Sequence, residues 1–224
     1  MSDKVQAALK AWKAHWLEAS LLALLALGLF LVDYFSKDYV FNQYLSEYVD
    51  HGYVSLKTAV PYLFDVTLEF NTGAAWSIGS GYTALLALIS LAMGIVILVG
   101  TVLYFPKLPH FARVALALCL AGDVGNLVDR MGKWANTPKY SRGVIDFIVF
   151  DFWKSFPVFN IADSCLVIGI AILIVGYLVV LIQQNLKAKA AKKAAPAVDD
   201  SASLKEKLSQ RKSADDTDDS SKKV

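Results

Sequence analysis

Two stretches of this chain carry no charge at all: residues 82–106, across 25 positions, and residues 164–186, across 23. A bilayer's hydrocarbon core, about 30 Å thick, takes roughly 20 apolar residues in a helix. Each run is therefore long enough to cross a membrane. Two further runs are less uniform. Residues 17–32 (LEASLLALLALGLFLV) carry Glu18 at the start and lengthen to a full span if Tyr34 and Phe35 are included. Residues 111–128 (FARVALALCLAGDVGNLV) carry Arg113 at one end and Asp123 within. The expectation is four transmembrane helices, with the short 106–110 turn making the second and third an antiparallel hairpin.

Composition agrees. The chain is 56% hydrophobic and 19% charged, and residues 187–224 hold 17 of its 42 charged side chains. The rest is too apolar for an ordinary globular domain. Lys4, Lys10 and Lys13 ahead of the first apolar run resemble a signal peptide, but no small-residue cleavage site follows Leu31-Val32-Asp33-Tyr34, so the helix is expected to be retained. Trp12, Trp16, Tyr82, Tyr104 and Tyr177 suit an interfacial aromatic belt. Lys and Arg number nine on the side bearing the termini and seven on the other, which favours cytoplasmic termini. Three regions are expected: an N-terminal arm (1–16), a four-helix membrane domain (17–186) and a disordered charged tail (187–224). A net charge of +2 makes no case for nucleic acid, and Cys119 and Cys165, both inside apolar runs, make none for a disulfide framework.

The polar residues are the informative ones. Helix one runs into Asp33 and Lys37, and Asn71, Thr72 and Gly73 lie before helix two. Helix three ends in Gly125, Asn126, Asp129 and Arg130; helix four begins with Asn160, Ala162 and Asp163. In an up-down bundle all of these gather on one side, opposite both termini, and the other side is expected to offer nothing comparable. Asn126 and Asp129 are three apart, as are Asn160 and Asp163, so each pair shares a helix face. Carboxylates at membrane depth are costly and mark function, although any one of them alone reads as readily as a helix cap or a snorkelling acid. Asp146, inside the apolar string GVIDFIVF, needs a partner or a task.

The three histidines, His15, His51 and His110, are scattered, so no His-based zinc site or Ser-His-Asp triad can be assembled. Ser164 beside Asp163 lacks an evident base. Paired carboxylates remain, because two aspartates about one water can share a proton and act as base and acid. A proton-relay transporter using the same acids is the rival, but relay acids line a path through the bundle, and only Asp123 offers depth. A non-catalytic scaffold protein is a third reading.

Five blocks in order give the resemblance: Asp33-Tyr-Phe-Ser-Lys37, Asn71-Thr-Gly-Ala-Ala-Trp76, Gly125-Asn-Leu-Val-Asp-Arg130, Val144-Ile-Asp146-Phe and Phe159-Asn-Ile-Ala-Asp-Ser164. Together they resemble lipoprotein signal peptidase (signal peptidase II), the membrane aspartic protease of bacteria. A scaffold would leave all five unexplained. The resemblance implies an all-α integral membrane fold: a four-transmembrane-helix bundle with a small extramembrane β-containing segment between helices one and two. It implies Asp146 and Asp163 as the catalytic pair, with neither metal nor cofactor. It makes Asp33, Lys37, Asn71, Gly73, Asn126, Asp129, Arg130, Asn160 and Ala162 substrate-binding or positioning residues. The implied substrate is a diacylglyceryl-modified prolipoprotein cut just before its lipidated cysteine, and inhibition by globomycin-type compounds is expected. So is a monomer in the bacterial cytoplasmic (inner) membrane, with cytoplasmic termini and the site near the outer, periplasmic face. The sequence departs from the family at Asp123, whose partner it does not reveal, and in long 38–70 and 131–142 stretches.

Overall fold

The structure, a computed structural model, describes residues 3–73, 81–133 and 143–194. Four helices and three strands follow one another as α1 (Asp3–His51), β1 (Lys57–Val60), β2 (Phe64–Asn71), α2 (Thr83–Tyr104), α3 (His110–Val128), β3 (Val144–Phe150) and α4 (Ile161–Ala194). All four helices are long and apolar enough to cross a membrane. Residues Met1–Tyr177 form one compact unit and Leu178–Val224 a second, which takes up α4 from Leu178 onward.

Helix α1 corrects the expected end of the first span. At 49 residues and about 1.5 Å of rise each it is roughly 74 Å long, far more than a bilayer needs. The apolar run stops near Phe35, but nothing there breaks a helix: no Gly or Pro occurs between Gly28 and Gly52. Gly52 adopts a left-handed φ of +79°, and its N–H donates to the Tyr48 carbonyl at 2.8 Å, the usual glycine stop. Of the long 38–70 stretch, residues 38–51 are thus helix, and 57–60 and 64–70 are strand. Residues 3–16, expected as an arm, continue the same helix.

The end of α1 beyond the span holds a small sheet. Strands pair antiparallel in the order β1-β2-β3. Val40 on α1 packs with Val54, Leu68, Ile145 and Phe147 in a buried cluster flanked by Phe41, Tyr44 and Tyr48, helical spacings that share one face. A β-containing segment was expected between helices one and two, and β1 and β2 lie there. The sheet's third strand, β3, comes from between helices three and four and carries Asp146. Every residue from Val144 to Phe147 is buried, so β3 shows no apolar–polar alternation.

Helix α3 is the inner one. Both α1 and α2 pack against it, and scarcely against each other. Ten of its 19 residues are buried, including Arg113, Asp123 and Asn126, while α2 exposes Leu85, Leu88, Met93, Val96 and Leu103. A helix screened from lipid can carry polar groups that meet protein partners; a lipid-facing one cannot. Small residues bring helices together, as in membrane bundles generally. A Cβ on Gly122 would collide with the Ala162 carbonyl oxygen of α4.

Gly122→Ala should therefore lower the thermal midpoint of detergent-solubilised protein, by an amount typical of overpacking, about 1–3 kcal/mol. Gly100→Ala, at a helical position with open space around it, should hold or raise the midpoint. Equal effects of the two changes would contradict the close α3–α4 approach.

Candidate active site

The site is built around a lysine. Lys37 is fully buried, and its Nζ lies 2.8 Å from Asp33 Oδ2 one turn back on α1. It also lies 3.0 Å from Asp129 Oδ2, past the end of α3, and donates to Asn126 Oδ1 at 3.0 Å. One ammonium thus ties α1, well before its end, to the end of α3. Each carboxylate passes the link on. Asp33 Oδ1 accepts the Ala162 N–H of α4 at 2.8 Å, and Asp129 Oδ2 accepts the Ile145 N–H of β3 at 3.3 Å. Close approach requires small residues: a Cβ on Gly125 would meet Asp33 Oδ2 at 2.6 Å and Ala162 Cβ at 3.0 Å.

Asp146 and Asp163 come together through Asn160, which is fully buried. As the residue before α4, Asn160 caps the helix: its Oδ1 accepts the Asp163 N–H at 2.8 Å, and its own N–H donates to Asp163 Oδ2 at 3.2 Å. That is a reciprocal capping box, with Asn and Asp in the usual Ser/Thr and Glu positions. The Asn160 Nδ2 donates to Asp146 Oδ1 at 2.6 Å, to Asn126 Oδ1 at 3.1 Å and to the Ile145 carbonyl at 3.2 Å. Asn126 Nδ2 donates to Asp163 Oδ1 at 2.8 Å, and Asn71 Nδ2 to Asp146 Oδ2 at 3.0 Å. Each of the four carboxylate oxygens accepts one amide N–H, which leaves further lone-pair capacity on each.

Strand register explains the contribution of β2. Asn71 lies opposite Val144, and Glu69 opposite Asp146, so Asn71 is a diagonal neighbour of Asp146 on the same face. Asn71 Oδ1 also accepts the Gly73 N–H at 2.9 Å. Arg130 Nη2 donates to the Gly73 carbonyl at 3.2 Å, so Gly73 is held from both sides. Residues Ala74, Ala75 and Trp76 lie outside the described residues, as does the 134–142 part of the long stretch. Burial is the main cause that raises the carboxyl of Asp146, reinforced by the neighbouring charge of Asp163; it is pushed up from 3.8 to about 7. Burial alone raises Glu69.

The structure supplies what the sequence reading lacked at Asp123. Its Oδ1 accepts a hydrogen bond from Ser90 Oγ of α2 at 2.7 Å, and a glycine at 94 leaves room for its other oxygen. Ser164, considered above as a nucleophile, spends its hydroxyl on the Asn160 carbonyl at 3.0 Å. Lys133 was also missed: its Nζ donates to the Tyr34 carbonyl at 3.0 Å and sits 3.2 Å from the centroid of the Tyr34 ring. No local pattern marks a lysine just past a helix end for this contact.

The opposite end of the bundle is not bare, contrary to expectation. Glu18 accepts from Arg113 Nη1 and is 2.7 Å from His110 Nδ1, and His15 Nδ1 is 3.0 Å from Arg113 Nη1. The signal was present as Glu18 and Arg113 at corresponding ends of two spans, each a charge that needs the other.

Comparison with known proteins places this arrangement. The sequence family described as signal peptidase (SPase) II matches residues 25–179, a stretch that includes all the blocks above. A lipoprotein signal peptidase of Anoxybacillus flavithermus is 33% identical over 167 residues, covering 71% of this chain and 86% of that protein. One of Staphylococcus aureus is 37% identical over 123 residues, covering 53% and 68%. Two solved structures, described as a bacterial membrane enzyme, superpose with TM-scores of 0.55 and 0.54. They share 30% and 29% identity, each covering 71% of this chain and 88% or 93% of the other. Four helices long and apolar enough to cross a membrane, together with the family match, make this a membrane protease. The chain belongs to the signal peptidase II family.

Removing the central cation tests how the site is held. Lys37→Met would leave Asp33 and Asp129 buried without their counter-charge, which costs about 3–5 kcal/mol in comparable settings. The melting temperature in detergent should fall steeply, and adding Asp33→Asn and Asp129→Asn to the same protein should restore part of it. A Lys37→Met protein that melts like the parent would show that the lysine does not hold these helices.

Proposed function

We propose that this protein is an aspartic endopeptidase that removes signal peptides from diacylglyceryl-modified prolipoproteins, cutting just before the lipidated cysteine. The observation that carries this reading is Asn160. It bonds both Asp146 and Asp163, so two acids from a strand and a helix are fixed about one point at the same end of the bundle. The relatives named lipoprotein signal peptidase supply the substrate class.

The chemistry follows from the pair. With one proton shared between two carboxyls, the ionised one removes a proton from a water molecule as it attacks the scissile carbonyl carbon. The protonated one donates to the carbonyl oxygen; as the resulting gem-diol collapses, the first carboxyl passes the water's proton to the departing cysteine amine while the second takes its own proton back. An Asp146 carboxyl raised to about 7 keeps a proton available near neutral pH. The amide donors on all four oxygens fix the rotamers, so the pair is positioned before substrate arrives. Arg130, Asn71 and Gly73, linked to one another beside the pair, bind the substrate backbone. Asp33, Lys37, Asn126, Asp129 and Ala162 act by positioning. The reaction calls on neither metal nor cofactor, and globomycin-type compounds would compete at the same site. The enzyme works as a monomer in the bacterial inner membrane, with cytoplasmic termini and the site near the periplasmic face. Residues 194–224 are an extension that cleavage does not require.

Cleavage by purified variants, followed by gel shift with a diacylglyceryl-modified prolipoprotein, tests the assignment. General acid–base groups contribute about 10²–10⁴-fold each, and members of one catalytic unit are not additive. Asp146→Asn and Asp163→Asn should each reduce cleavage to background, with the double variant hardly worse, while both still fold. Turnover by either folded single variant would remove the pair from the mechanism.

A further inference from the structure

A cavity lies at the opposite end of the bundle from the acid pair. Because α1 and α2 pack on α3 and scarcely on each other, a crevice remains between them with α3 as its floor. Its volume is about 160 Å³, and Ala19, Ala23 and Ala26 of α1, Leu98 and Val102 of α2 and Leu116 of α3 are among its walls. The three alanines repeat at helical spacing on one face, and larger side chains there would fill the crevice. At one end Trp12 stacks on Phe105 with centroids 5.3 Å apart. A crevice with these apolar walls suits an apolar guest such as an acyl chain.

Two polar atoms set this crevice apart from an ordinary lipid-facing gap. Arg113 and Thr101 both line it, and Arg113 Nε and Thr101 Oγ1 are buried with no hydrogen-bond partner among the described residues. Arg113 is only 7% exposed. The rest of its fork is engaged: Nη1 meets Glu18 and His15, and Nη2 reaches the Pro106 carbonyl at 3.5 Å. A buried donor without an acceptor costs free energy. An oxygen at the end of an apolar guest would satisfy it. Charge favours an anion, since Lys10, Lys13, Lys107 and Arg113 stand at this end against the one carboxylate of Glu18 in residues 10–32 and 83–122.

We infer that this crevice is a binding site for an anionic glycerophospholipid, with an acyl chain between α1 and α2 and a phosphate oxygen accepting from Arg113 Nε and Thr101. Basic pockets between membrane helices hold anionic headgroups in this way, and Arg suits phosphate geometry. The site is separate from the acid pair and stands independently of the proposed activity.

The test uses full-length protein in vesicles containing photoactivatable phosphatidylglycerol, with labelled residues located by mass spectrometry. A parallel arm uses photoactivatable diacylglycerol, which offers the same chains without phosphate. Label from phosphatidylglycerol should concentrate on residues 19–26 and 98–102. Ala23→Phe, which fills the crevice, should abolish that concentration. Thr101→Val should reduce it about three- to tenfold, the loss of one hydrogen bond. Both variants should keep the parent's melting temperature within a few degrees. Arg113→Gln also strips Glu18 of its partner, so the reading rests on the other two. Label spread evenly over α2 and α4, label unaffected by Ala23→Phe, equal labelling by diacylglycerol, or crosslinks joining two copies of the chain would each overturn the proposal.

Discussion

The fully buried ammonium of Lys37 is the contact on which the rest of the site depends. It sits between Asp33 and Asp129 at 2.8 and 3.0 Å, and a buried charge is tolerable only with such compensation. Each partner carries the constraint to another element: Asp33 to the first turn of α4, Asp129 to β3, and Asn126 to Asn160. Three helices and a strand are thereby fixed by one side chain. Helix α1 can deliver it because its helix does not stop where its apolar run does.

From that frame the acid pair takes its geometry. Asn160 serves at once as helix cap and as donor to Asp146, so the local rule that starts α4 also sets the position of the two carboxyls. The same burial that makes the arrangement rigid keeps Asp146 from ionising at the usual pH. Structure and proposed chemistry therefore ask for the same environment: low dielectric, with every oxygen given one donor. The further charge cluster around Glu18 and Arg113 obeys the same logic at the other end, and differs in leaving a donor unspent beside an apolar crevice.

Much of this was legible in the sequence, for physical reasons that differ by element. Helices α2 and α4 face lipid, so their charge-free runs are unambiguous. Helix α3 is inner and polar, which weakened its signal while concentrating the informative residues on it. The length of α1 was missed because hydropathy ends near Phe35, whereas the stop that matters is Gly52. Strand β3 was missed because a strand buried on both faces has no alternating pattern. The grouping of Asp33, Lys37, Asn126, Asp129, Asn160 and Asp163 could be foreseen from which helix ends share a side. The hydrogen bonds among them could not, nor could Ser90 as the partner of Asp123, because a lone serine in an apolar span carries no pattern.

The central claim is that two aspartates share one proton in a buried pair. Carboxyl titration by ¹³C NMR of aspartate-labelled protein, with Asp146→Asn used to assign the signal, measures this directly. Burial holds the proton on Asp146, and Asp163's charge adds to the effect. One aspartate carboxyl should therefore stay protonated until about pH 7, and Asp163→Asn should move that titration lower. The macroscopic constants belong to the pair. If every aspartate titrated in the ordinary range around 3.9, or if Asp163→Asn left the high titration unmoved, the shared-proton account would be contradicted.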